Sequence, residues 1–107
     1  MKLLDLPQRP SALLATSYSL TVGSLMALNE RGIRIPDEMS FIGFEVLDIG
    51  RVMVPRLHVV ATPLEELGRS AASLLYGRIK EEGKWPPEVV RLKTRLEKGE
   101  SVARYRA

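Results

Sequence analysis

Short apolar runs alternate along this chain with longer stretches whose apolar residues recur at helical spacing. The runs at residues 11–16, 39–44 and 57–61 are continuous in apolar character, which is typical of strands buried on both faces of a parallel sheet. Residues 17–32 and 63–82 carry apolar side chains three and four positions apart, and they predict helices. This alternation predicts an α/β fold with a parallel sheet and flanking helices.

The two predicted helices differ in how their apolar surface would be covered. The second begins at Thr62, Pro63 and Glu65, where threonine caps the helix and glutamate can reach back to it. Its single apolar stripe consists of Leu64, Leu67, Ala71, Leu74, Leu75 and Ile79. The first helix is apolar on two sides, one with Leu20, Gly23, Ser24, Ala27, Leu28 and Arg31, the other with Val22, Leu25, Met26 and Asn29. Small Gly23 and Ser24 would let the helix lie close to the sheet, and the other side would suit a second subunit.

The remaining segments give weaker patterns. Residues 47–54 have no clear period and predict a loop with one helical turn, while residues 88–92 alternate weakly as a strand. Leu96 and Val102 suggest a last short strand, and Trp85 is expected to anchor its loop on the second helix. The predicted order is β-α-β-loop-β-α-β-β, in a single domain over residues 1–107.

Composition removes several classes of protein. The chain contains no cysteine, so it has no disulfide framework and no thiolate metal site, which fits a reducing cytosol. The apolar start at residues 1–4 is too short for a signal peptide. No apolar run approaches the roughly 20 residues that a membrane span requires. We therefore expect a cytoplasmic protein with no membrane partner.

The sequence carries no recognisable catalytic motif. Phosphate loops, dinucleotide glycine patterns and His-Glu-x-x-His are all missing from it. The single histidine, His58, lies within a predicted strand, where a packed side chain is more common than a catalytic base. The net charge of +3 reflects basic residues late in the chain, which are more typical of a solvated edge than of a nucleic-acid site. We expect no enzyme activity, no metal and no cofactor.

Polar side chains follow two of the predicted strands. Ser17 and Tyr18 come directly after the first strand, and Glu45 comes directly after the second. Because the carboxyl ends of parallel strands share one edge of a sheet, these side chains are expected to lie together and could bind a polyol. The alternative interpretation is that Ser17 only caps its helix and Glu45 only ends its strand.

Four segments of the chain resemble the C-terminal part of LacI-type transcriptional repressors. They are RPSALLAT, VGSLMALNERGIRIPDEMSFIGFE, VPRLHVVATPLEELGRSAASLL and RLEKGES, and the resemblance covers roughly residues 9–104. In this family the effector domain looks like a periplasmic sugar-binding protein. The resemblance implies a partial periplasmic-binding-protein-like domain (a flavodoxin-like half) with the DNA-binding helix-turn-helix ahead of Met1.

The resemblance also implies roles for particular residues. Family members carry Ala-Asn-Asp at positions 16–18, where this chain has Thr-Ser-Tyr, and Gly-Phe-Asp-Asp at positions 43–46, where it has Gly-Phe-Glu-Val. In the family, the asparagine and the first of the latter two aspartates contact a sugar or purine effector. This implicates Ser17 and Glu45 in ligand binding, with Tyr18 beside them.

Self-association is implied as well. The family's dimer contacts correspond to Val22, Met26, Met53 and Val54 in this chain. The chain of a family member would cross into a second subdomain near Thr62, so the second predicted helix would lack its usual neighbours. It would either fold back onto the sheet or pack on another chain. We therefore expect a homodimer or a higher oligomer, including one with exchanged C-terminal segments.

Several functions remain open from the sequence. The first is the effector-sensing and dimerisation portion of a LacI-type regulator, binding a sugar-like or nucleoside-like ligand in an interdomain cleft and reaching DNA only through the helix-turn-helix. The alternatives are an association-only fragment, a fragment of a sugar-transport binding protein, and a small α/β enzyme. The Pro-Leu-Glu-Glu-Leu-Gly run weighs against the transport protein, and the lack of catalytic motifs disfavours the enzyme.

Overall fold

The computed structural model describes residues 2–80 and 86–105. A 3-10 turn, Lys2–Asp5, is followed by β1 (Ala12–Leu14), α1 (Tyr18–Glu30), β2 (Ser40–Phe44), α2 (Leu47–Val52), β3 (His58–Ala61), α3 (Leu64–Lys80) and β4 (Arg95–Glu97). The strands form one sheet in the order β1-β2-β3-β4, and the β1–β2 and β2–β3 pairs are parallel. The predicted α/β class, with a largely parallel sheet and flanking helices, is confirmed.

Contacts divide the chain into two units, Met1–Ala61 with Leu96–Ala107, and Thr62–Arg95. The core of the first unit is built from residues of the 3-10 turn, α1, the first three strands and their connections. Its buried members are Leu4, Ala15, Leu28, Ile33, Met39, Phe41, Val46, Leu57 and Val59. Alternate residues of β2 and β3 are buried and the residues between them are half-buried, whereas β1 contains no buried residue. The prediction that all three strands are buried on both faces was therefore wrong, because one face of the sheet is covered more fully than the other.

α1 contacts the sheet through a face that includes Leu28, as predicted, but that is rotated toward Thr21. Thr21 and Leu28 are buried, whereas Gly23 is exposed and a Cβ built on it would meet no described atom within 4 Å. The small residue that permits close approach is instead Gly43 of β2, where a Cβ would lie 2.8 Å from Thr21 Cγ2. The predicted rotation was wrong because apolar residues on two sides of α1 left it undetermined.

The helical turn predicted within the loop at residues 47–54 is present as α2, which is six residues long. The strand predicted over residues 88–92 does not form, since the described residues 86–94 have no regular secondary structure and Val89 is largely exposed. The last strand lies at β4, around the predicted Leu96. The predicted end of the second helix at residue 82 and the predicted loop anchor Trp85 fall outside the described residues.

Residues 97–103, here called the return segment, cover the part of β2 that β3 does not reach. Phe41 N donates to Ser101 O at 2.8 Å, and Ser101 Oγ donates to Phe41 O at 2.5 Å. The same hydroxyl accepts from His58 N at 2.8 Å, and Ser101 is completely buried. One side chain therefore joins the return segment to β2 and β3. At the amino end of β2, Ala103 N donates to Ser40 Oγ at 3.0 Å.

The second unit consists mainly of α3. The helix predicted to start at Thr62 and Pro63 is confirmed as α3. In its first turn, Leu67 N donates to Pro63 O at 2.8 Å. Over Leu64–Lys80 no residue is buried, so its apolar stripe is exposed to a large extent. Glu65, predicted to reach back to the helix start, pairs with Arg69 one turn later at 3.0 Å.

Candidate functional site

The carboxyl ends of β1 and β2 lie side by side and form the edge at which a ligand was predicted. Their pairing runs to Leu14 and Ile42, and Ala15 N continues it by donating to Ile42 O at 3.1 Å. After Ala15 the chain leaves β1 and enters α1. Ser17 is the N-cap of that helix, and its side-chain oxygen accepts from Leu20 N at 3.1 Å.

The edge is held together by a buried hydroxyl group. Thr21 Oγ1 donates to Ser17 O at 2.7 Å and accepts from Phe44 N at 3.2 Å, and Thr21 is fully buried. One side chain therefore joins the first turn of α1 to the carboxyl end of β2. Thr21 was not predicted as a site residue, although a threonine on an otherwise apolar helix face indicates a hydroxyl with a buried partner.

Glu45 follows β2 with a backbone conformation that glutamate rarely adopts. Its φ angle is +62°, and its N–H donates to Val60 O at 3.0 Å. The left-handed region costs a non-glycine residue on the order of 1–2 kcal/mol. That bond and the next residue, Val46, which is fully buried, hold Glu45 in this conformation. The Cα–Cβ bond of Glu45 therefore leaves the edge in a fixed direction.

The predicted ligand-binding residues thus come together at one edge of the sheet. Tyr18 opens α1 with its side chain about half exposed. The helix cap uses only one of the two lone pairs on the Ser17 hydroxyl, which can still donate its proton. A hydroxyl, an aromatic ring and a carboxylate at one edge can bind a small hydroxylated molecule. Capping and ligand contact are therefore compatible at Ser17.

Two of the four residues predicted for a dimer interface line an apolar groove. Met53 and Val54 line a cavity of about 330 Å³ together with Leu25 of α1. Val54 is 96% exposed, Met26 is exposed, and Val22 is half-buried. The structure brings Met53 and Val54 to this groove, whereas Val22 and Met26 do not line it.

A larger cleft of about 550 Å³ lies at the opposite, amino-terminal edge of the sheet. It is lined by Ser11, Asp37, Glu38, Ser40 and Tyr105, among others. A hydrogen bond from Arg34 lowers the pKa of Glu38. No local motif predicted this cleft, because its walls come from opposite ends of the chain.

The single histidine has a structural role. His58 is half-buried, and its Nδ1 accepts from Gly99 N at 3.3 Å. Within residues 2–80 and 86–105, no group of three or more acidic or histidine side chains could hold a metal ion. The described helices also include none that is long and apolar enough to cross a membrane.

Comparisons with a family model and with known proteins agree on one family. The periplasmic binding protein-like domain matches residues 1–102. The transcriptional repressor CytR of Escherichia coli is 38% identical over 74 residues, covering 69% of this chain and 22% of that protein. The ribose operon repressor of Haemophilus influenzae is 35% identical over 78 residues, covering 73% of this chain and 24% of that protein. The chain therefore spans about a quarter of the length of these repressors.

A solved structure shows the same relationship. A LacI family transcriptional regulator from Enterococcus faecium with bound ribose superposes with a TM-score of 0.77 and 36% identity. The superposition covers 95% of this chain and 37% of that one. These relatives are regulators of transcription rather than enzymes, in agreement with the expectation from sequence.

Proposed function

Because the chain belongs to the periplasmic binding protein-like family and to its LacI-type repressors, we propose that it senses a small-molecule effector and dimerises. It would form the effector-sensing and dimerisation portion of a cytoplasmic transcriptional regulator. DNA contact would come from a helix-turn-helix elsewhere in the whole protein. The relatives are repressors, and one of them binds ribose, which supports a sugar-like or nucleoside-like effector.

The proposal rests above all on the backbone of Glu45. An exposed glutamate kept in the left-handed region, at the carboxyl edge of a parallel sheet, is typical of a residue fixed for ligand contact. Ser17 and Tyr18 leave the neighbouring strand end and provide a hydroxyl and an aromatic ring. In this proposal Glu45 accepts hydrogen bonds from ligand hydroxyls, Ser17 donates one, and Tyr18 covers an apolar face.

Calorimetric titration with D-ribose, D-glucose and adenosine tests the effector site. We expect one of these compounds to bind, and Glu45→Gln to weaken that binding about ten- to a hundredfold, because a charged acceptor contributes about 1.5–3 kcal/mol. Glu30→Gln is the matched control, since Glu30 is an exposed glutamate at the end of α1. Equal loss in both variants, or binding that Glu45→Gln leaves unchanged, would remove Glu45 from the site.

A second candidate is an association-only role, favoured by the exposed apolar surface. Val54 projects from an apolar groove, and the proposed dimer contacts are Val22, Met26, Met53 and Val54. Exposed apolar patches of this kind commonly mark protein–protein contacts. If no probe binds while the chain still forms dimers, this alternative replaces the effector site.

Analytical ultracentrifugation tests the interface. Val54→Asp places a charge at the groove and should shift the dimer toward monomer, whereas Val52→Asp should not. Val52 is also largely exposed but does not line the groove, so it controls for surface charge. A monomeric wild-type chain at micromolar concentration would refute dimerisation of this portion.

A further inference from the structure

The hydroxyl of Thr21 occupies the place that β1 leaves empty when it turns away from the sheet. Pairing between β1 and β2 ends at Leu14 and Ile42, apart from the bond from Ala15 N to Ile42 O. Phe44 N therefore lies beyond the last paired residue of β1. It donates instead to Thr21 Oγ1 at 3.2 Å, while that hydroxyl donates to Ser17 O at 2.7 Å.

The position of this hydroxyl is tightly restricted. Thr21 is fully buried, and its Cγ2 atom lies 2.8 Å from where a Cβ on Gly43 would stand. The absence of a side chain at Gly43 lets the threonine reach the backbone of β2. Both partners of the hydroxyl adjoin proposed ligand-binding residues, since Ser17 O belongs to one and Phe44 precedes Glu45.

We infer that Thr21 is a positioning residue that sets the relative placement of Ser17 and Glu45 for effector binding. The inference rests on the proposed function, because it concerns the same site. Thr21 itself contacts no ligand, since its side chain is buried. Its effect on binding would come from the two backbone groups that its hydroxyl joins.

The chain offers a matched control at the other end of β2. Ser101 Oγ also joins two backbone groups, Phe41 O and His58 N, and Ser101 is equally buried. Removing the Thr21 hydroxyl takes this partner from Phe44 N, while Ser17 O keeps its bond from Thr21 N at 2.9 Å. Removing the Ser101 hydroxyl takes the partner from both Phe41 O and His58 N. Either change lowers stability. Only the hydroxyl of Thr21 lies at the carboxyl edge. A purely structural role therefore predicts similar behaviour for Thr21→Val and Ser101→Ala, whereas a positioning role does not.

The first test requires no ligand. Backbone NMR is recorded on the wild-type chain, Thr21→Val, Thr21→Ser and Ser101→Ala. We expect Thr21→Val to shift the amide signals of Ser17 and Glu45 and to weaken the strong intraresidue HN–Hα contact that a positive φ gives at Glu45. Thr21→Ser should restore them, and Ser101→Ala should leave them unchanged. If Thr21→Val does not fold, Thr21→Cys keeps the volume with a weaker acceptor.

The second test measures binding of D-ribose, D-glucose and adenosine by calorimetry. Thr21→Val should bind the active probe about tenfold more weakly, as expected when only about a tenth of the molecules keep Ser17 and Glu45 in the binding geometry, while Thr21→Ser and Ser101→Ala bind as the wild type does. Unchanged Ser17 and Glu45 signals in Thr21→Val, or equal losses in Thr21→Val and Ser101→Ala, would overturn the inference. If the wild type binds no probe, the proposed function fails, and the NMR result still decides whether Thr21 sets the geometry of the edge.

Discussion

At the scale of single residues, two glycines of this chain have opposite surroundings. A Cβ on Gly99 would overlap the backbone carbonyl oxygens of Arg56 and Leu57. Gly99→Ala should therefore push the return segment away and lower the free energy of unfolding by about 1–3 kcal/mol, as overpacking does.

A Cβ on Gly23 would meet no described atom within 4 Å. Gly23→Ala should raise stability by about 0.5–1 kcal/mol, because alanine is the better helix residue.

Urea unfolding of the two variants and the wild type measures both effects. An unchanged dependence on urea concentration would show that each variant exposes the same surface on unfolding. A Gly99→Ala protein as stable as the wild type would mean that the return segment can move without cost. A destabilised Gly23→Ala protein would mean that this face of α1 is covered in solution.

At the scale of elements, α1 depends on its cap. Ser17→Ala removes the acceptor of Leu20 N and should cost about 1 kcal/mol, whereas Ser17→Asp keeps an acceptor and should retain most of the stability. Both variants remove the serine hydroxyl that is proposed to contact ligand. Thermal unfolding and calorimetry should therefore separate the two roles, with aspartate restoring stability but not binding. Equal stability of the two variants would show that the cap contributes little.

The elements with strong local signals are the ones that the sequence predicts well. β2 and β3 are continuous apolar runs, and α3 begins at a threonine–proline start, so local chemistry determines them. Residues 88–92 alternate only weakly, and as described they have no sheet partner. The rotation of α1 on the sheet was mispredicted because a helix that is apolar on two sides fits two orientations.

The candidate site was predictable only in part. The sequence places Ser17 and Glu45 at one edge because a residue that follows a strand has a known position in a parallel sheet, and their contact with a ligand stays a prediction. Thr21 is not found in this way, since its partner Phe44 is 23 residues away along the chain. Ser101 lies 60 residues from Phe41. A local pattern of apolar and polar residues cannot predict a hydrogen bond between positions so far apart in the chain.

At the scale of the whole molecule, acid should weaken two surface ion pairs. A hydrogen bond from Arg31 lowers the pKa of Asp5, and one from Arg34 lowers the pKa of Glu38. Each of these carboxyl groups has a lower pKa in the folded protein than in the unfolded chain. It therefore stabilises the fold at pH values above the ordinary pKa of a carboxyl group. That contribution is lost as the pH falls below the ordinary carboxyl pKa values, about 4, and through the lowered values of the folded protein.

The measurement compares urea unfolding of the wild type with the double variant Asp5→Asn and Glu38→Gln. The wild type should be the more stable protein at pH 7, and its advantage should shrink toward pH 3. High salt should reduce the difference as well, because both pairs lie at the surface. An advantage that grows on acidification would contradict this account.

The exposed stripe of α3 should determine part of the chain's self-association. Leu75 and Ile79 are each more than half exposed on the same side of the helix. Replacing both by glutamate should lower the average mass measured by light scattering at high concentration. Ser73→Glu, also exposed on α3, is the control for added charge. Equal masses for all three proteins would place the association surface elsewhere.

The buried hydroxyl of Ser101 also has a consequence for how the protein is made. Its bond to Phe41 O spans 60 residues, so β2 leaves the ribosome well before its partner is synthesised. Chains are extended at about 5–20 residues per second, and unpaired strand edges promote aggregation during that interval. The nascent sheet thus has an unprotected side for several seconds. A chaperone that binds newly made chains should therefore recognise β2 most strongly just before the return segment emerges.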